Sequence, residues 1–299
     1  MRKKNDILLK SAFEEAFPDL LRFFFKNADL IFDMDRGFEF LDKELKELFP
    51  ELERRGGARF VDMLVKTFGA DGSEKWMLVH IEIQAQHDTN FGHRMFQYFY
   101  RIFDRYQVPI TAISVFTGEK SQVCSSEFQY EFLGTTLQYK FNTYHIQDHS
   151  EQELLAMDNR FSLIILATQK TLISSKLSLR ELAEHRFNIA KAMICSNKYS
   201  PEQIKRFMLF LKNYIFIENS KINIIFDKQI DHLTGHRNAM DLMEAIEIVM
   251  KQTAEENARK PFVIYLLKHT DMDLATIAAT AEVDEDFVEE VEHEVGRKA

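Results

Sequence analysis

The chain has 299 residues, of which 45% are apolar and 28% are charged, and it contains only 5 prolines. This composition is typical of one large or two ordinary folded domains and argues against a disordered chain. The formal net charge of −9 argues against a surface that coats nucleic acid along its whole extent. Cys124 and Cys195 form no metal or redox motif, which favours a reducing cytoplasm. No segment approaches the roughly 18 apolar residues that a membrane span needs.

The first 150 residues predict an α/β arrangement. Their predicted elements are, in chain order, a helix over residues 5–27 that Pro18 kinks or divides, a helix over 40–52, strands over 60–68 and 76–84, a helix over 90–106, a strand over 110–116 and a β-like stretch over 128–146. A turn rich in Gly and Asp joins the two strands of the pair. The order predicts a sheet with helices beside it.

The remainder of the chain predicts helices. They are expected over residues 151–171, 179–195, 201–216, 240–259 and 262–268. We therefore expect two regions, an α/β domain over residues 1–150 and a helical region over residues 151–299. Charge also differs along the chain: residues 54–110 hold eight Lys or Arg against six Asp or Glu, whereas residues 282–294 hold eight acids and no Lys or Arg. The overall acidity therefore does not exclude a local phosphate-binding surface.

The predicted strand pair carries the candidate site. A hairpin centred near residue 72 sets Asp62 opposite Glu82, with side chains roughly 5 Å apart at Cβ. Gln84 shares the face of Glu82 because strand side chains alternate. Two carboxylates this close repel each other unless a cation lies between them, and a divalent metal with oxygen ligands is the usual solution. His80, on the same face, could be a ligand, a base or an outer partner, and a packed core histidine is an equal alternative.

The helix predicted over residues 90–106 carries a basic stripe. The stripe begins at Arg94 and continues 4, 7 and 11 positions later with Tyr98, Arg101 and Arg105. Arginine binds phosphate in a bidentate manner, so this stripe suits a nucleic-acid backbone, and an ordinary solvated surface is an equal alternative. On the first helix, Glu14 and Glu15 are candidates for a third carboxylate.

The end of the chain has the outline of a small helix-turn-helix over residues 274–291. A DNA reader needs basic residues on its second helix. This helix carries acids instead: Asp284, Glu285, Asp286, Glu289 and Glu290. Intramolecular packing or docking of a partner is therefore the better interpretation.

Together these residues resemble a known group. Arg59-Phe-Val-Asp62, a Gly-containing turn and His80-Ile-Glu82-Ile-Gln84, followed by a basic aromatic helix, are similar to the Rpn family of recombination-promoting nucleases and transposases. That family belongs to the PD-(D/E)XK nuclease superfamily. The resemblance covers roughly residues 1–145 well and the helical region more loosely.

The resemblance implies a fold and an activity. The fold is α/β, with a PD-(D/E)XK restriction-endonuclease-like core, in which helices flank a central mixed sheet, followed by an all-helical C-terminal region. The activity is metal-dependent DNA cleavage linked to recombination or transposition, with Mg²⁺ as cofactor, Mn²⁺ as its substitute and no organic cofactor. DNA is the implied partner, and cutting of both strands usually calls for a homodimer.

The resemblance also implies roles for individual residues. Asp62, Glu82 and the carbonyl of Ile83 are the expected metal ligands, and Gln84 stands where the superfamily more often has Lys. Glu14 or Glu15 corresponds to a glutamate of the superfamily's first helix, and Val61 replaces its proline. The residues expected to contact DNA are Arg59, Arg94, Tyr98, Arg101 and Arg105, with His80 behind the metal ligands.

Three alternatives remain open. Gln84 in place of Lys favours a catalytically inactive member of the same fold that binds DNA or regulates. The acidic helical tail favours a protein-interaction subunit. Metal-dependent hydrolysis of a smaller phosphoester would use the same carboxylates.

Overall fold

The computed structural model describes residues 2–49, 60–82, 90–117, 125–233 and 242–295. The protein is mixed α/β, with a five-stranded sheet, a two-stranded ribbon and many helices. The strands are β1 (Glu39–Phe40), β2 (Phe60–Phe68), β3 (Glu74–Glu82), β4 (Ile110–Phe116), β5 (Glu127–Phe132), β6 (Thr135–Lys140) and β7 (Asn142–His145). The helices up to residue 217 are α1 (Arg2–Glu15), α2 (Phe17–Phe24), α3 (Ala28–Ile31), α4 (Asp42–Leu48), α5 (Phe91–Tyr106), α6 (Glu151–Ala156), α7 (Arg160–Leu172), α8 (Leu179–Cys195) and α9 (Pro201–Tyr214).

The sheet runs in the order β1-β2-β3-β4-β7. Its first three strands are antiparallel neighbours, whereas β3, β4 and β7 are parallel. A parallel pair needs a crossover connection, and α5 lies in the connection between β3 and β4. The carboxyl ends of β3, β4 and β7 therefore lie at one edge of the sheet, together with the start of β2.

The turn between β2 and β3 sets the register of the pair. The Gly69 amide donates to the Ser73 carbonyl over 2.7 Å, and the Asp71 carboxylate accepts from the Ser73 amide over 3.0 Å. Gly72 takes a φ of +78°, a conformation that glycine adopts without steric cost. These bonds close a loop that is symmetric about Asp71.

The register differs from the predicted one by two residues. Asp62 lies opposite His80, and Glu82 lies opposite Phe60. The prediction that Asp62 faces Glu82 directly is wrong, because the loop is centred on residue 71 rather than 72. Asp62 and Glu82 are instead diagonal neighbours whose positions have the same parity in the ladder.

A hydrophobic cluster covers one face of the sheet. It joins strand residues to α4, α5 and the residue that follows α4, and its main members are Leu64, Trp76, Ala112, Phe116, Leu45, Phe49, Phe91, Met95, Tyr98 and Ile102. The strand members have the same parity as Asp62, His80 and Glu82. The candidate positions therefore belong to the face that α5 covers.

The first compact unit extends well past residue 150. Contacts divide the chain into Met1–Ile217 and Glu218–Ala299, whereas the sequence predicts a division after residue 150. Helix α7 explains the difference, because nearly all of its side chains are buried and it packs against α1 and α2. The rings of Phe13 and Phe161 meet edge to face at 4.8 Å.

The second unit is helical. It contains α10 (Ser220–Leu233), α11 (Leu242–His269), α12 (Leu274–Ala281) and α13 (Glu285–Val295). Its core is formed by Val263, Leu266, Leu267, Ile277, Ala278, Ala281, Val288 and Val291. Pro261 lies inside α11, so the two helices predicted on either side of it are one. Within the described ranges, no helix combines the length and apolar character needed to cross a membrane.

Candidate functional site

The candidate site lies where β2 begins and β3 and β4 end. Pairing across three strands places Asp62, His80 and Ser114 at directly opposed positions. The next row of the ladder contains Phe60, Glu82 and Phe116, and His145 of β7 extends it. For Asp62, His80 and Glu82 the structure describes the backbone position in this ladder.

The diagonal relation between Asp62 and Glu82 matters for metal binding. Diagonal neighbours are separated by roughly 7–8 Å, compared with roughly 5 Å for opposed ones. An Asp and a Glu side chain with a cation between them can span that separation. The position of the predicted pair therefore remains compatible with a shared divalent cation, although the two residues are not directly opposed.

Ser114 is a polar residue of this row that sequence reasoning missed. Its side chain is 0% exposed, and its Oγ has no hydrogen-bond partner in the part of the chain that the structure describes. The sequence signal is a serine in the middle of the strand Ile110–Phe116, where the only other hydroxyl residue is Thr111 near its start. Phe116, two residues further along, is buried and stacks on His145 with ring centroids 6.0 Å apart.

The predicted basic stripe on α5 faces another helix for part of its length. Tyr98 is only 4% exposed and packs against Phe49 with ring centroids 4.5 Å apart, so its predicted place on a DNA-binding surface is wrong. Arg101 Nη1 donates to the Leu48 carbonyl over 3.2 Å. Arg105 lies 3.7 Å from the Glu47 carboxylate, and its side chain remains 54% exposed.

Arg94 is half-buried at the start of α5, where its guanidinium lies 5.2 Å from the centre of the Phe91 ring. Arg94 and Arg105 thus mark the two ends of the predicted stripe, and the buried Tyr98 lies between them. The surface that remains for a phosphate backbone is narrower than the sequence pattern predicts.

The two glutamates of α1 contact neighbouring helical residues. Glu14 lies 3.7 Å from Lys10 on the same helix. The Glu15 carboxylate lies 3.5 Å from Arg206 of α9, and its carbonyl accepts a hydrogen bond from Arg160. Glu15, Arg160 and Arg206 line a cavity of about 290 Å³ between α1, α7 and α9. The described ion pair of Glu15 thus joins α1 to α9.

Other predicted site residues lie outside the described ranges: Arg59, Ile83 and Gln84. Among the side chains that the structure describes, no three His, Cys, Asp or Glu residues lie close enough together to hold a metal ion. Asp62, His80 and Glu82 stand outside that set, because only their backbone positions are described.

The β5–β6 ribbon covers the aromatic side of α5. Phe128 stacks on Phe96 with ring centroids 5.2 Å apart, and Tyr139 lies 4.9 Å from Phe99. Burial raises the pKa of the Tyr139 phenol, so it stays neutral at physiological pH. This side of α5 is therefore covered by the ribbon.

Compared with models of protein families, with curated proteins and with solved structures, the chain matches none of them.

Proposed function

We propose that the protein is a metal-dependent DNA endonuclease of the PD-(D/E)XK type, similar to the Rpn nucleases. The observation that carries this proposal is the placement of Asp62 and Glu82. They occupy diagonal positions on two antiparallel strands at the edge where the parallel strands β3 and β4 end. Two acidic residues so close on a largely buried sheet need a compensating charge.

The order of elements supports the same proposal. Helix α1 precedes the antiparallel strands, and α5 lies between β3 and its parallel neighbour β4. A mixed sheet flanked by helices is the arrangement that the resemblance implies. A fold alone does not establish an activity, so the proposal rests on the acidic pair and takes only support from the topology.

The donor set fits Mg²⁺. Carboxylate oxygens are the ligands that this cation prefers, with Mn²⁺ as a substitute. When bound, the cation lowers the pKa of a water molecule and offsets charge on the attacked phosphate. In this proposal Asp62 and Glu82 hold the cation with the carbonyl of Ile83, and Gln84 orients the water through its amide. Glu14 or Glu15 supplies the carboxylate of the first helix.

Positive side chains hold the DNA backbone in this proposal. Arg59, Arg94 and Arg105 supply guanidinium groups that bind phosphate and screen its growing charge. Arg101 contributes its charge from a position fixed against Leu48. Cutting of both strands calls for a homodimer, and the expected compartment is the cytoplasm.

A second candidate function is DNA binding without cleavage. Gln84 carries no positive charge, whereas the superfamily more often has Lys at this position. The exposed acids of α13 favour a third candidate, an interaction subunit for a basic protein. Both candidates predict that Asp62 and Glu82 can be replaced without loss of the protein's function.

Nicking of supercoiled plasmid separates these candidates. The full chain is incubated with Mg²⁺, Mn²⁺ or EDTA beside Asp62→Asn and Glu82→Gln, which keep side-chain size and remove charge. Glu131→Gln, on the exposed ribbon, is the matched control. Metal-dependent nicking that both site variants lose and the control keeps supports the nuclease. Equal nicking by all four proteins indicates a contaminating nuclease and refutes the proposal. Binding that retards DNA in a gel without cleaving it supports the second candidate, DNA binding without cleavage.

A further inference from the structure

The cavity of about 290 Å³ between α1, α7 and α9 of the first unit is large for a protein interior, in which few voids exceed the size of a water molecule. Its walls are mainly apolar, and four of the residues that form them are at most 8% exposed: Ala12, Ile164, Phe207 and Phe210. For comparison, an engineered apolar cavity of about 150 Å³ binds benzene. This cavity, called the α1–α9 cavity below, is therefore large enough for a small bicyclic molecule.

Phe207 and Phe210 give the α1–α9 cavity an aromatic wall. They lie three positions apart on α9 and therefore on one side of that helix, with ring centroids 6.0 Å apart. Helix α1 packs against α9, and its Ala12 leaves room at the cavity because its side chain is a single methyl group. Aromatic rings attract one another in offset or edge-on arrangements. The shape and the wall of the cavity thus favour a flat aromatic ligand.

The charged residues of the lining already have partners within the protein. Arg206 lies 3.5 Å from the Glu15 carboxylate, and its Nε donates to Glu202 over 3.1 Å. Arg160 pairs with Asp19 at 3.3 Å and donates to the Glu15 carbonyl. A charged ligand would have to compete with one of these pairs and would lose its own hydration on entering an apolar cavity. The lining therefore favours an uncharged ligand.

Asn213 offers a ligand a hydrogen-bond acceptor. Its side chain lines the cavity, and its Nδ2 donates to the Leu209 carbonyl over 2.8 Å. An asparagine amide that donates through nitrogen keeps its Oδ1 as an acceptor. The Glu15 carboxylate, which also belongs to the lining, is an acceptor as well. A ligand with one N–H or O–H donor therefore complements the polar part of the cavity.

We propose that the α1–α9 cavity binds a small, uncharged, bicyclic aromatic molecule that carries one N–H or O–H donor, as indole does. The apolar walls hold the rings, and Asn213 accepts from the donor. The inference does not rest on the proposed nuclease function, and the place of Glu15 at this cavity leaves Glu14 as the carboxylate of α1 in that proposal. Because the ligand binds the folded chain, its binding raises the melting temperature.

Calorimetric titration of the full chain with three probes tests the class of ligand. Indole is uncharged and carries an N–H donor, benzofuran has the same shape with an oxygen in place of that donor, and indole-3-acetate adds a negative charge. We expect indole to bind at one site with a dissociation constant of about 0.1–1 mM. The other two probes should bind about tenfold more weakly, because each loses a hydrogen bond or adds an unpaired charge. Equal affinity for the three probes, or no saturable binding of indole, would overturn the proposal.

Three variants locate the binding site. Ser11 is an exposed residue of the lining, so Ser11→Phe should obstruct the cavity without disturbing the core and weaken indole binding about tenfold. Ala12→Leu fills the cavity from α1, so it should weaken binding to the same extent and raise the melting temperature of the ligand-free chain. Lys205→Phe, an exposed change on α9 outside the lining, is the matched control and should bind indole as the unchanged chain does. Equal affinity of all four proteins would place the binding elsewhere and overturn the proposal.

Discussion

Asp19 and Arg160 form an ion pair across 141 positions of the sequence, with 3.3 Å between Oδ2 and Nε. The two side chains are only 11% and 5% exposed. The pair connects α2 with the start of α7, which lies beyond the predicted end of the α/β domain. Burial raises the pKa of Asp19, against the opposing effect of Arg160 and Arg22.

Arg160→Met should therefore destabilise the first unit by about 3–5 kcal/mol, because a buried carboxylate loses its partner. The loss relative to the unchanged chain should grow as pH rises, because removing Arg160 takes away an effect that lowers the pKa of Asp19 and so raises this pKa further above that of the unfolded chain. Urea denaturation at several pH values measures it. Adding Asp19→Asn should recover stability, and a double variant as unstable as the single one would contradict this account.

The same contacts predict where the chain can be shortened. A fragment of residues 1–217 should be compact and unfold cooperatively, because it contains the whole first unit. A fragment of residues 1–150 lacks Phe161, the ring partner of Phe13, and should aggregate through exposed apolar surface. Gel filtration and near-ultraviolet circular dichroism distinguish the two. Native-like dichroism of the shorter fragment would place the boundary at residue 150.

Two arginines of α5 should behave differently when each is replaced by alanine. Arg105 is mostly exposed, so its loss should change stability by less than about 1 kcal/mol. If it binds phosphate, the slope of log affinity for DNA against log salt should fall by about 1. Arg101 donates to the Leu48 carbonyl, so its loss should cost stability as well, about 1–3 kcal/mol. Salt titration with labelled DNA measures the slope, and urea denaturation measures the stability. An unchanged slope for Arg105→Ala would show that Arg105 does not bind DNA phosphate.

The stability of the first unit should depend on pH through Glu151. Burial tends to raise its pKa, but Lys170 Nζ at 2.6 Å and His185 Nδ1 at 3.2 Å outweigh that effect and lower it below 4.5. A lowered carboxyl pKa contributes stability above 4.5 that is lost as pH falls.

Glu151→Gln should therefore cost about 1–3 kcal/mol near neutral pH and progressively less in acid. Glu184→Gln, an exposed change on α8, is the control and should leave the pH profile unchanged. Unfolding free energies measured across the acid range decide the matter. Parallel profiles for the unchanged chain and Glu151→Gln would refute the assigned role.

The ribbon turn offers a stabilising substitution. Leu133 and Gly134 connect β5 to β6 with φ values of +44° and +83°, and Leu133 is 90% exposed. A left-handed conformation costs a leucine about 1 kcal/mol, and asparagine adopts it more readily. Leu133→Asn should raise the melting temperature by about 2–4 °C. Leu133→Ala lacks the short polar side chain through which asparagine favours the left-handed conformation, so it should give no such gain in the same thermal scan.

Local sequence patterns predicted several elements correctly. The bounds of β2 and β4 are as predicted, because runs of β-branched and aromatic residues end at turn residues. Pro18 lies in the first turn of α2, one of the two places predicted for it. Pro261 is the contrary case: Val263, Leu266 and Leu267 belong to one core cluster, and their packing keeps α11 continuous through the proline.

By itself, the sequence determined that Asp62, His80 and Glu82 belong to one hairpin with the same parity, because strand periodicity and the Gly-containing turn are local properties. Strand periodicity did not show that Asp62 opposes His80, because hydrogen bonds within the turn set its centre. Only the tertiary structure decided the place of Ser114 in that row and the burial of Tyr98, because both depend on packing between distant elements. A one-dimensional pattern shows which side chains share a face of an element, whereas the partner of that face depends on contacts between segments far apart in the chain.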